Sequence, residues 1–72
     1  MEANAQAKVE KILKGELKYT SSNLAFNMMI SKMQKKVQAD AASLDSCMKE
    51  MEEFFAKYPI VAKVDLANIA AL

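Results

Sequence analysis

From Ser22 to Tyr58 the chain runs for thirty-seven residues without a glycine or a proline, and Pro59 closes the run. Within it Ile30, Met33, Val37, Leu44, Cys47, Met51, Phe54 and Tyr58 recur at alternating intervals of three and four, the spacing of one face of a helix. Asp40 stands at the one place where the series wants an apolar residue. Phe26 extends the stripe toward the N-terminus, and Met48 and Phe55 widen it into the face of a helix that packs in a bundle. Thr20, Ser21, Ser22 and Asn23 all carry an oxygen able to cap a first turn. Pro59 supplies the stop, because it disfavours helical geometry at Tyr58 and has no N–H to donate.

Length then constrains the architecture. A straight helix over these residues would be roughly 55 Å long, whereas a globule of 72 residues has a radius of gyration of about 11 Å and a diameter near 30 Å. Either the helix breaks near Gln38–Ser46, where Asp40, Ser43, Asp45 and Ser46 lower helix propensity, or it stays whole and another chain covers its seam. The unbroken helix is the expected form, because no Gly or Pro marks a turn there. The fold class is therefore all-α: a single helical domain over residues 1–72, with one long amphipathic helix at about 22–58 flanked by two short ones. Oligomerisation or a partner would complete the hairpin or bundle. A core this small supplies only about 3–5 kcal/mol, and one cysteine with no histidine makes neither an intrachain disulfide nor a credible zinc site.

The flanking segments read as cover. Glu2 to Lys14 is a first helix with Ala5, Val9, Ile12 and Leu13 on its apolar side, capped by Glu2 or Asn4 and closed by Gly15 in a left-handed conformation. Beyond Pro59, the residues Ile60, Val61, Val64, Leu66, Ile69 and Leu72 are spaced by alanines. Either Pro59 opens a helix there as its first residue or Asp65 caps one beginning at Leu66. So apolar a segment should be buried, folding back over Leu44–Phe55 while the first helix covers the region around Leu24–Val37.

Charge is balanced in sum and uneven in place. Residues 1–38 carry seven lysines against three glutamates, and residues 39–72 carry six acids against three lysines. Two antiparallel copies of the long helix would set each lysine cluster against a glutamate cluster; a solvated outer face is the plainer account. Every basic residue is lysine, and a chain without arginine lacks the side chain that most often reads guanine edges and clamps phosphates, so nucleic acid is not an expected partner. No signal-peptide pattern appears in Met1–Lys14, and no run approaches the ~20 apolar residues of a membrane span. Cytoplasmic location, with Cys47 reduced, is the expectation.

Catalysis is not expected. There is no histidine, no Gly-rich phosphate loop and no serine in a nucleophile motif. Glu50 and Glu53 fall on an exposed face, and Cys47 lies on the apolar seam, where a buried inert thiol is the reading. No cofactor or metal is implied. What remains is protein–protein contact through an interaction face of Phe26, Ile30, Met33, Val37, Leu44, Met48, Met51, Phe54, Phe55 and Tyr58, buried in a core or an interface. Five methionines, Met28, Met29, Met33, Met48 and Met51, suit a surface that adapts to a partner, although ordinary core packing explains them as well. Met28 and Met29 cannot both face the seam, so one apolar side chain should lie outside the stripe. The size and helix-rich layout resemble the small co-chaperones of needle subunits in bacterial type III secretion. That resemblance is one of architecture and transfers no residue roles. The expected function is an adaptor or chaperone-like module that self-associates or holds a partner helix. The alternative is a membrane-surface or lipid-binding protein using the Lys-rich first half and the apolar C-terminus; against it, those two features lie at opposite ends of the chain.

Overall fold

The expected long helix is folded in two at Asp40. In the computed structural model, which describes residues 1–72, the chain forms α1 (Ala3–Leu13), α2 (Leu24–Ala39), a single 3-10 turn (Ala41–Ser43), α3 (Leu44–Lys57) and α4 (Pro59–Ala70). Asp40 is extended, with φ −151° and ψ 104°. Its carboxylate accepts the amide of Ala42 at 3.1 Å, and its carbonyl accepts both the amide of Ser43 at 3.0 Å and the Ser43 hydroxyl at 2.8 Å. Such local bonds offer the backbone an alternative to the helix ladder. No glycine is needed, since every residue of the turn keeps a negative φ and Gly15 is the one residue of the chain with a positive one. The break resolves the conflict of length: the molecule measures 30 × 23 × 20 Å with a radius of gyration of 11.0 Å. With the helix folded in two, the seam needs no second chain to cover it.

The two halves form an antiparallel hairpin that buries Phe26, Ile30, Met33 and Val37 of α2 against Cys47, Met48, Met51 and Phe55 of α3. Phe26 is fully buried, its ring 5.6 Å from that of Phe54, 5.3 Å from that of Phe55 and edge-on to Tyr19 at 6.5 Å. Aromatic pairs at such separations add about 0.5–1.5 kcal/mol to area burial. Val9, Ile12 and Leu13 from α1 and Ile69 from α4 complete the same core.

Capping explains the boundaries. The Glu2 carboxylate accepts the amides of Asn4 and Ala5 at 2.7 and 3.3 Å, and so caps α1 in place of Asn4. At the other end the Glu16 amide reaches the Lys11 carbonyl at 2.8 Å and the Gly15 amide reaches Ile12 at 3.0 Å, a Schellman closure with Gly15 at φ +80°. Asn23 caps α2 by accepting the amide of Phe26 at 2.9 Å, so α2 starts two residues later than Ser22. Ser21 is clasped from both sides by Asn27, which accepts its amide at 2.8 Å and donates to its carbonyl at 2.7 Å.

Pro59 opens α4 as its first residue. Asp65 is therefore no cap; it sits inside α4 and is buried. The expectation that this segment is covered on most sides also needs correcting. Asp65 and Ile69 are its only buried residues, while Ile60 is 79% exposed and Val64 49%. A single helix has two faces, and only one of them meets neighbours here: α4 packs chiefly on α1 and also on α3, and α1 spans α2 and α3 rather than α2 alone. Lys8 ties the ends together, its ammonium donating to the carbonyls of Ala70, at 2.7 Å, and Leu72.

The turn at Asp40 yields a prediction. Asp40→Ala removes the carboxylate that accepts the Ala42 amide and favours helix through the bend. Urea unfolding should show a loss of about 1 kcal/mol; an unchanged midpoint would mean that packing alone holds the turn.

Candidate functional site

Beside the buried stripe of α2 runs a second, half-exposed one: Ala25, Met28, Met29, Lys32 and Lys36, at helical spacings of three and four. The corresponding stripe of α3 is Glu50, Glu53, Phe54, Lys57 and Tyr58. Because the helices are antiparallel and touch along their buried stripes, these second stripes flank an open groove. One depression of ≈ 340 Å³ lies between Met28, Met29, Met33 and the Lys32, Lys36 and Glu50 side chains. A second, of ≈ 400 Å³, continues it past Met29, Glu50, Glu53, Phe54, Lys57 and Tyr58. A smaller one of ≈ 180 Å³ carries it to Val61 at the start of α4.

The floor is methionine and phenylalanine, and the lips are charged with opposite signs. Lys32 and Lys36 edge the α2 side and Glu50 and Glu53 the α3 side, with Lys57 one turn beyond Glu53 toward Tyr58. Lys36 and Glu50 meet across the groove at 4.0 Å with both side chains more than half exposed. A solvated pair of that kind contributes under about 1 kcal/mol and holds neither partner firmly. Both charges stay available to an incoming surface.

Of the ten residues expected to form the interaction face, Phe26, Ile30, Met33, Val37, Met48, Met51 and Phe55 are buried within this chain. Leu44 and Phe54 are half-buried against that core, and Tyr58 is 47% exposed. The apolar seam is thus the inside of the hairpin, and only Met33, Phe54 and Tyr58 of the ten also line the groove. The groove's other side chains were missing from the expected face, yet two signals pointed at them. The adjacent pair Met28–Met29 demanded one apolar side chain off the seam, and the lysine and glutamate clusters lay on matched faces of the two halves. Met28, 54% exposed, is that outlying side chain.

Cys47 is sealed in the core with no exposed surface. No group of three or more Cys, Asp or Glu side chains is placed to hold a metal ion, and no helix is long and apolar enough to cross a membrane. The other polar cluster lies on the far end of the chain's packing, where the Tyr19 hydroxyl donates to the buried carboxylate of Asp65. Burial pushes the Tyr19 phenol up to about 12 from its usual 10, with the hydrogen bond to Asp65 and the carboxylate's charge acting in the same direction and Asn68 against them. This pair joins the segment before α2 to α4 and lies apart from the groove.

No family model matches the chain, and no curated protein or solved structure is significantly similar to it.

The raised phenol pKa has a definite sign. The folded state favours neutral Tyr19, so the pair's contribution is complete below pH 10 and is lost as pH rises from about 10 through about 12. Thermal melts should show a midpoint falling across that window, and ultraviolet titration should show one tyrosinate emerging near pH 12. Tyr19→Phe should flatten the alkaline dependence; a variant that keeps the same alkaline slope would assign it to other groups.

Proposed function

We propose that the chain is a small non-catalytic interaction module, adaptor- or chaperone-like, whose docking surface is the groove between α2 and α3 and whose occupant is a helical surface of a protein chain. The observation that carries the reading is the groove itself: a methionine and phenylalanine floor left open between two antiparallel helices. A trough between parallel ridges accepts a third helix by ridge-and-groove packing, and an amphipathic helix lays its apolar face into such a trough. Thioether side chains adjust to the shape they meet at small cost. Charged lips of opposite sign favour one direction and one register of the occupant over others. Holding a helical subunit in the manner of a co-chaperone is one form of such a module.

A membrane-surface role is the second reading, favoured by Leu24 at 73% and Ile60 at 79% exposure, two large apolar side chains at the openings of α2 and α4. Their helix starts are brought together where Asn23 and Val61 line the same depression.

A photo-cross-linking residue at Met28 tests the first reading, with Lys11 on α1 as the control position, both introduced into the full chain in its own cells. A discrete protein adduct at Met28 and none at Lys11 is the expected result. Equal adducts at both positions, or none at Met28, would remove the groove as a docking surface. Co-sedimentation of the chain with anionic vesicles, lost on Ile60→Asp, would favour the membrane instead.

A further inference from the structure

We infer that the groove is self-complementary and that its occupant is a second copy of this chain, packed face to face about a two-fold axis that runs along the groove. The inference rests on the groove being the docking surface, and it adds the partner's identity and the geometry. Two two-fold arrangements bring the grooves of two copies together. An axis across the groove lays α2 over its own counterpart and sets Lys32 and Lys36 against the same lysines. An axis along the groove lays α2 of each copy over α3 of the other, antiparallel.

The charge pairing of the second arrangement follows from where the charges lie in the single chain. The Lys36 ammonium and the Glu50 carboxylate meet 4.0 Å apart across the trough. One turn back along α2 from Lys36 stands Lys32, and one turn forward along α3 from Glu50 stands Glu53, so the two lysines and the two glutamates border the same stretch of the groove. A rotation about the groove axis preserves position along it. It therefore brings the Lys32 and Lys36 lip of each copy over the Glu50 and Glu53 lip of the other, twice by symmetry. The interface is isologous and closes at two copies. It also covers Met28, Met29, Phe54 and Tyr58, the apolar side chains of the open trough. Oppositely charged rims around an apolar centre are the arrangement by which helical bundles select orientation.

Sedimentation equilibrium or light scattering across a dilution series tests this. The 8.0 kDa chain should double in mass at micromolar concentration, with the dimer weakening about tenfold or more between low and high salt as the facing lysines and glutamates are screened. Two charge-reversed chains sharpen the result: K32E with K36E, which makes both lips acidic, and E50K with E53K, which makes both basic. Each alone should dimerise at least about a hundredfold more weakly, since like charges then face each other. Mixed, they should pair with one another, and a chain carrying all four reversals should dimerise with itself. These side chains are solvent-exposed, and helicity and melting midpoint by circular dichroism check that each variant folds; the salt dependence of the unaltered chain is a second readout that requires no substitution.

A dimer that ignores all four reversals would place the interface elsewhere and overturn the inference. So would a four-reversal chain that stays monomeric while the two reversed chains pair, which is the behaviour of the crosswise axis. A chain monomeric at every concentration, whose Met28 cross-linker nevertheless captures a protein other than itself, would overturn the second copy as occupant and leave the groove as the docking surface. A Met28 adduct at twice the chain's own mass supports both.

Discussion

The carboxylate of Asp40 occupies the point on the apolar stripe where burial would cost most. In an unbroken helix it would lie on the seam, and removing an unpaired carboxylate from water costs several kcal/mol, a large fraction of what a core this size supplies. Turning the chain at that residue leaves the carboxylate in water and gives it an amide to accept. It also folds the stripe onto itself, so that α2 and α3 satisfy each other's apolar faces. α1 and α4 then have a hairpin to cover instead of a rod. The compact shape, the single shared core and the position of the groove all follow from where that one charge can sit.

The helices themselves were legible in the sequence. Three-and-four spacing, a cap among Thr20–Asn23, Gly15 at a C-terminus and Pro59 or Asp65 at the start of the last helix each rest on a local rule, and packing chose Asn23 and Pro59 among the alternatives. The break was harder to read because it uses neither glycine nor proline. Its signature lies in charge order. Lys36 suits the last turn of a helix, where cations complement the dipole, and Asp45 suits a first turn. Both patterns run against the dipole of one long helix and with it in two short ones. The partial exposure of α4 was illegible for another reason: composition reports how apolar a segment is, and only tertiary packing decides which of its faces finds a neighbour.

The candidate site was legible in pieces only. An apolar stripe and a docking face look alike in a sequence, because burial against one's own chain and burial against another obey the same physics. The stripe with the clearest period went to the core, as the stronger of two apolar faces will when the chain can reach it. What stayed outside was the weaker stripe, interrupted by lysines and glutamates and supplied with flexible methionines. Its members become a groove only when the hairpin sets two helices side by side, and that is a property of the turn at Asp40 more than of the residues that line it.

Cys47 turns out to be a built-in clock. It is the chain's sole thiol, it faces the core from the first turn of α3, and none of its surface is open to solvent. A thiol reagent can reach it only when the hairpin opens, so the rate of its labelling measures how often the molecule breathes. The same enclosure keeps it from cross-linking two folded copies. The core that makes this cysteine chemically silent also makes it a gauge of the fold's integrity, readable at low protein concentration and slowed by anything that holds the groove closed.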